Sequence, residues 1–411
     1  MQKIEPYYDN SNKVLIIPIN YNHKLINLPF DIETIIFKDN VLHINNLNFN
    51  QPVDDLPPNL KKIYFGMSFN QPINNLPSDL IYLQFNALSH FNHPVDNLPS
   101  NLTHLIFGET FNQSIDKLPL NLTHLTLGYD FNKNTDKLPK NLISLIFERH
   151  YFYQTTNLPL DLKYLSFELL TSFDFDKRSI FTITPKTKEF IDKLPPNLLH
   201  LNYGHWFNEP INELPINLIK LKFGNCFNQI LPNLPINLKI LEFGENFNQL
   251  LKSFPPNLEK IKFGLRFNQL LPELPESLIT LEFGNQFNQI LPDLPTNLIY
   301  LNLGLSYCQS VDKLINNNRY LFFTGDMHNL LYNSPQFIIR SNSKIKNNIP
   351  LNNERIQIIF YDGDTYNEPI ENLHCNIKEI FINLKNKVHF IKKIPYGCKI
   401  IDMETGEIIN K

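Results

Sequence analysis

Cysteine, glycine and charge are all scarce in this chain. Four Cys in 411 residues (Cys226, Cys308, Cys375, Cys398) form no CxxC and no metal-ligand spacing. That excludes a disulfide framework and reads as reduced thiols in a reducing, cytoplasmic compartment. A formal net charge of −3 with 19% charged residues gives no general electrostatic case for binding nucleic acid or an anionic membrane. No apolar run is long enough to cross a bilayer, and the first residues, MQKIEPYYDNSNK, contain no apolar signal core. The P-loop, GxSxG and HExxH patterns are missing, and no nucleophile stands beside a placed base. These absences point to a protein that binds rather than catalyses and that needs no cofactor.

What the chain does have is a period. The stretch LIKLKFGNCFNQILPNLP at 218–235 returns almost unchanged at 238, 258 and 278. Phe223, Phe243, Phe263 and Phe283 stand 20 residues apart, as do Phe227, Phe247, Phe267 and Phe287. A fixed period of this size marks an array in which each unit packs on the next. Within a unit, Leu221 and Phe223 alternate with Lys220 and Lys222, the pattern of a short strand with one buried face. Gly224 ends that strand, where a tight turn or a close backbone approach favours glycine. Phe227, Leu231 and Leu234 are expected to point inward. Pro232 and Pro235 forbid an interior helix on the return path. Asn237 sits where a turn residue is usual before the next strand.

One unit cannot bury its own apolar side. Stacked about 4.8 Å from its neighbours, its strand joins a parallel sheet, and its Phe and Leu residues join continuous columns. Each fully buried Leu or Phe is worth roughly 1.5–3 kcal/mol.

The pattern LxxLxFGxxFNQxIxxLPxNL, with FNQPV at Phe49–Val53 and FNQPI at Phe69–Ile73, resembles the FNIP repeat family of the leucine-rich-repeat superfamily. The tandem Leu-Pro pairs also resemble short bacterial leucine-rich repeats. One departure from the usual leucine-rich repeat favours FNIP: Asn228 comes five residues after Phe223 and directly follows Phe227. The resemblance implies a mainly β solenoid, a horseshoe or arc with one long parallel sheet, 20-residue repeats and few or no long helices. It also implies a source among amoebae or the large viruses that infect them, which fits the 57 Asn residues. For a viral protein the compartment would be the host cytoplasm.

Taken in order, residues 1–48 read as degenerate capping repeats, with strands at Val14–Ile17 and Ile32–Phe37. Regular repeats span 49–303, broken by an insertion at 168–190. Residues 304–411 read as degenerate repeats and a C-terminal cap, with an irregular Asn-rich stretch at 315–353. Ile380 and Ile382 continue the inward pattern there, as do Cys398, Ile401 and Met403.

The residues between the inward positions form the outward face of the sheet, the usual binding surface of a solenoid. Its candidate partner-binding residues are Tyr64, Tyr82, His104, His124, Tyr164, Lys220, Lys222, Lys260, Lys262 and Tyr300. Lys222, Glu242, Lys262 and Glu282 share a column with alternating sign, which cross-strand pairing explains and a docking strip would also use. His104 and His124 are neighbours in another column. Two imidazoles at that spacing suit zinc, but these columns supply no third or fourth ligand, so two His on a polar sheet is the plainer reading. Tyr and Ile on this face fit interface anchors and simple β-propensity equally well. The Asn after each second Phe reads as a stacked row that satisfies loop backbone rather than as a ligand site.

The function expected from this is a non-enzymatic, monomeric protein-interaction scaffold with unidentified protein partners. The alternatives are a structural or self-assembling repeat protein, and an enzyme with its site on the irregular insertions.

Overall fold

The computed structural model describes residues 5–39, 48–148, 157–167, 194–298, 300–304, 321–322, 355–358, 378–382, 388–389, 391–402 and 404–409. The insertion at 168–190 lies outside the described residues, as do Cys308, Cys375, Met403 and all of 315–353 except Leu321–Phe322. The chain divides into two compact units, one of residues 1–207 with 211–218, the other of residues 208–210 with 219–411. The described residues contain strands, turns and two residues of 3-10 helix, and no α-helix.

The first unit holds β1 (Tyr7–Asp9), β2 (Val14–Ile17), β3 (Thr34–Phe37), β4 (Lys62–Phe65), β5 (Tyr82–Phe85), β6 (His104–Ile106), β7 (His124–Leu127), β8 (Ser144–Phe147), β9 (Tyr164–Ser166) and β10 (His200–Asn202). From β2 onward each strand pairs parallel with the next. The exception is β1, which pairs antiparallel with β2, Tyr7 opposite Ile16. Asp9 closes that hairpin by accepting the Ser11 and Asn12 amides at 3.0 and 3.2 Å. A reversed strand at the open end of a parallel stack covers core that would otherwise meet water.

The second unit holds β11 (Lys220–Lys222), β12 (Ile240–Glu242), β13 (Lys260–Lys262), β14 (Thr280–Glu282), β15 (Tyr300–Asn302) and β16 (Leu321–Phe322), again paired in parallel sequence. The strands β17 (Arg355–Ile358), β18 (Glu379–Ile382) and β19 (Lys399–Asp402) form a separate parallel sheet. The repeat period survives there, since Ile380 stands opposite Ile400. The expected phase of the last strand does not. Ile400 and Asp402 point inward instead of Ile401, because the chain folds back after β19 and Ile401 bridges Ile408. Asp402 accepts the Glu404 amide at 2.9 Å and its own carbonyl accepts Gly406, which locks the reversal.

The core is two columns of phenyl rings. In the second unit the strand rings Phe223, Phe243, Phe263 and Phe283 stack 5.3–5.5 Å apart, and the loop rings Phe227, Phe247, Phe267 and Phe287 stack 6.0–6.1 Å apart. The first unit repeats this with Phe65 and Phe85 at 5.3 Å, and Phe69 and Phe91 at 6.2 Å. The loop column is the wider one in both, so within each unit successive coils spread apart away from the sheet.

Three backbone devices set the coil. The Pro carbonyl of each PxxL segment accepts the Leu amide three residues on, as in Pro235 to Leu238 at 3.1 Å, which makes the turn into the strand. Proline suits that place because the turn asks it only for a carbonyl. Leu231 is buried as expected, but Leu234 is only half-buried and Pro235 takes the inward place beside it. After the strand, Gly244, Gly264 and Gly284 stack so closely that a Cβ on Gly264 would lie 1.9 Å from the Gly244 carbonyl oxygen. The glycine is there for close approach.

The third device is asparagine. Each Asn after the second Phe accepts the amide of its counterpart one coil on: Asn228 Oδ1 from Asn248 N–H, Asn248 Oδ1 from Asn268 and Asn268 Oδ1 from Asn288, all at 2.9 Å. In the first unit the row starts at Asn22, which accepts from Asn50, and continues through Asn70, Asn92, Asn112 and Asn132. Gln249 and Gln269 add side-chain bonds to the same oxygens, at 3.1 and 3.2 Å. The row thus meets loop amides that face no strand partner. A second row lies before the strands, where the Asn121, Asn141 and Asn297 amides donate to carbonyls 21 residues earlier at 2.9–3.0 Å.

Candidate functional site

The outward face of the first unit is built by register. One column runs Lys62, Tyr82, His104, His124, Ser144, Tyr164, His200, and the next runs Tyr64, Gln84, Ile106, Thr126, Ile146, Ser166, Asn202. No carboxylate stands in either column. Most of these side chains are half-buried by their neighbours; Lys62 and Tyr164 are exposed and Thr126 is buried.

Their rings stack across the strands. Tyr64 and Tyr82 lie 5.1 Å apart, Tyr82 and His104 5.5 Å, and His104 and His124 4.1 Å with planes only 7° from parallel. Tyr164 meets His200 at 4.5 Å. Tyr82 donates its hydroxyl to Gln84 Oε1 at 2.7 Å, and burial next to Tyr64 raises its pKa. Burial lowers the pKa of both imidazoles, and for His104 the neighbouring His124 and Lys62 add to the effect. Among the described residues no cluster of three or more His, Cys, Asp or Glu is placed to hold a metal ion.

The face of the second unit is charged. Lys222, Glu242, Lys262 and Glu282 do share one column in register. Ion pairs also run diagonally into it from the neighbouring column. Lys220 meets Glu242 at 3.8 Å, and Lys260 reaches both Glu242 at 4.0 Å and Glu282 at 3.0 Å. A lysine stem reaches the next strand diagonally as readily as across, and these columns lie side by side. Glu282 is also not the exposed residue expected: its side chain is 6% accessible, with Lys260 Nζ 3.0 Å from its carboxylate. Tyr300 sits half-buried at the end of the Lys220, Ile240, Lys260, Thr280 column.

One titratable group escaped the sequence reading. Glu148 follows Phe147 in the slot that Gly108 and Gly128 fill, and it is buried. Burial, with Glu109 nearby, pushes its pKa from 4.5 up to about 7. A carboxylate in a glycine slot of a strict period was the signal that marked it. Because the folded chain holds this proton more tightly than the unfolded chain does, Glu148 favours folding fully below about pH 4.5, and that contribution is lost as pH rises through about 7. Glu148→Gln is therefore expected to raise stability at pH 8 by about 3 kcal/mol and to change little at pH 4. Denaturant titrations of both proteins at the two pH values check this. Equal differences at both would mean that Glu148 ionises as it does in water.

Parallel coils of 20 residues, a phenylalanine-filled interior and amide rows along the turns define a solenoid of the leucine-rich-repeat class. More particularly, the chain carries FNIP repeats: the FNIP Repeat family matches residues 49–87, 91–130, 111–148, 227–266 and 267–306. Among solved structures, the chain is similar to CroV588, a giant-virus protein described as a novel circular LRR structure. The two share 28% identity over 95% of this chain and 72% of that one, with a TM-score of 0.55. It also matches YopM from Yersinia enterocolitica WA-314, with 18% identity over 91% of this chain and 83% of that one and a TM-score of 0.42. An internalin, inlF, from Listeria monocytogenes matches with 16% identity over 77% and 88% and a TM-score of 0.41. No curated protein matches the sequence. No helix among the described residues is long and apolar enough to cross a membrane.

Proposed function

We propose that the chain is a non-enzymatic scaffold that binds protein partners through the outward sheet faces of its units. The observation that carries this reading is the run of half-buried rings on β4–β7, with Tyr64 tilted against Tyr82, Tyr82 stacked on His104 and His104 on His124. Such a surface is already ordered by hydrogen-bonded strands, so a partner meets anchors that lose little freedom on binding. The repeat class supports the same reading by analogy of fold. The free thiols of Cys226 and Cys398 suit a reducing compartment such as the cytoplasm.

The test uses the charged face of the second unit. Lys222→Glu with Lys262→Glu leaves in place Lys220 and Lys260, which make ion pairs to Glu242 and Glu282. Exposed like charges cost only about 0.2–1 kcal/mol each, so the fold should persist. Capture of partners from cell lysate should fall about tenfold, chiefly through a slower on-rate. Alanine at the exposed Asn233 and Glu273, on the proline-rich return path, should leave capture unchanged. Loss with these two substitutions and not with the lysine reversals would move the docking surface to the return path.

A second reading, self-association, has one observation in its favour. Ile230, Leu250, Leu270 and Ile290 form an aliphatic row on successive coils, each between 58% and 70% exposed. Contiguous exposed apolar rows mark contact surfaces. Under this reading, light scattering of the purified chain would show mass rising with concentration.

A further inference from the structure

The exposed aliphatic row of the second unit reads the same from either end. Ile230, Leu250, Leu270 and Ile290 each stand three residues after a loop phenylalanine, and those rings follow one another at 6.0–6.1 Å. In the first unit the same slot holds Pro52, Pro72, Pro94, Ser114 and Asn134, so the row belongs to the cleanest coils alone. Its flank is not symmetric in charge. Two and three residues after each aliphatic side chain, the turn carries Pro232-Asn233, Lys252-Ser253, Pro272-Glu273 and Pro292-Asp293. The one cation thus lies in the Leu250 coil, and the carboxylates lie in the next two. Lys252, Glu273 and Asp293 are all exposed. In the first unit the same two turn positions are bridged from coil to coil, Asp96 to Lys117 at 3.0 Å and Asp116 to Lys137 at 2.9 Å. Lys252 and Glu273 carry the reversed signs and, among the described residues, close no such pair.

Resting on the self-association reading, we propose that a second copy of this chain covers the row, the two rows running antiparallel about a twofold axis between Leu250 and Leu270. That axis sets Ile230 on Ile290 of the other copy and Leu250 on its Leu270, so the order Ile, Leu, Leu, Ile meets itself. A twofold contact must be complementary to itself, and this one is. The same axis keeps each flank on its own side. Lys252 of either copy therefore faces the coil that carries Glu273 in the other, and the opposite-charge contact is made twice. Parallel rows would cross the flanks and bring Lys252 over Asn248 and Gln249, with no carboxylate to meet. The gain comes from four aliphatic side chains leaving water, and the charges choose the direction. The contact closes at two copies, and it uses no residue of the outward sheet faces.

The test is sedimentation equilibrium of the full chain across the micromolar range, where the wild type should pass from monomer to dimer and stop there. Lys252→Glu alone and Glu273→Lys alone each set like charges face to face at both contacts of their own dimer. Each should raise the dimer Kd by more than about tenfold. An equal mixture of the two variants should regain the wild-type Kd, because in the mixed dimer both contacts again join a lysine to a glutamate. Pairing within one chain cannot produce that rescue, and the rescue also shows that both variants are folded. Variants that are weakened and not rescued by mixing overturn the antiparallel row. Dimers indifferent to both substitutions, or a mass that climbs beyond two copies, overturn it too and leave self-association standing. A chain that stays monomeric at every concentration overturns both.

Discussion

Phe247→Ala should destabilise the chain by about 3–5 kcal/mol. The Phe247 ring is fully buried and touches three others, Phe243 at 3.8 Å in its own coil and Phe227 and Phe267 at 6.0 Å in the coils on either side. Removing it leaves a hole bounded by flat, parallel rings. Those rings cannot close over the hole without changing the spacing of their coils. That spacing is fixed independently, by amide bonds such as Phe243 N–H to the Lys262 carbonyl at 2.8 Å and by the Asn228–Asn248–Asn268 row. The cavity term should therefore appear almost in full, near the upper end of what such substitutions cost. Denaturant titration measures it. A loss below about 1 kcal/mol would mean that the phenylalanine stack is not the core.

Gly264→Ala should be nearly as harmful, about 3 kcal/mol or more, although it adds a single methyl group. The added carbon would sit 1.9 Å from the Gly244 carbonyl oxygen and 2.3 Å from its carbonyl carbon. Both atoms are backbone, so no rotamer change relieves the clash, and the two coils must move apart against their ladder bonds. Gly397→Ala makes the comparison sharp. Gly397 has a φ of +76° and nothing within 4 Å of an added Cβ, so its cost is only the left-handed backbone, about 1–2 kcal/mol. Thermal or denaturant unfolding should rank Gly264→Ala as the worse of the two. The reverse order would mean that conformation and not crowding selects the glycine column.

The strands and their buried residues were legible because one constraint wrote them repeatedly. Every coil meets the same neighbour, so the inward residues recur with the period and can be read without knowing any contact. Val14–Ile17, far from the cleanest copies, was legible on the same ground and is a strand. What the period does not govern was hidden. The reversed strand Tyr7–Asp9 occurs once, is short and half polar, and depends on a turn at Asp9. The diagonal bonds of Lys260 depend on side-chain reach, which spacing does not encode. Ile401 carried the right spacing and the wrong phase because a later hairpin bond outranked the repeat. The face as a place was legible, but the near-parallel stacking of His104 on His124 was not, since it rests on side-chain rotation that spacing does not encode.

The amide row also bears on how this chain finds its structure. Bonds such as Asn248 to Asn268 and ladder pairs such as Leu241 with Ile261 join residues 20 apart, however long the chain grows. The search for each new contact is therefore the closing of one short loop onto a coil already formed, and its entropic cost does not accumulate with length. Where the period is stretched, as between Phe167 and Tyr203 at 36 residues, closing the longer loop adds only about 0.5 kcal/mol. A nucleus anywhere in a unit can then grow toward either end, one coil at a time. An interruption slows that growth at a single step and leaves the coils beyond it as easy to add as those before.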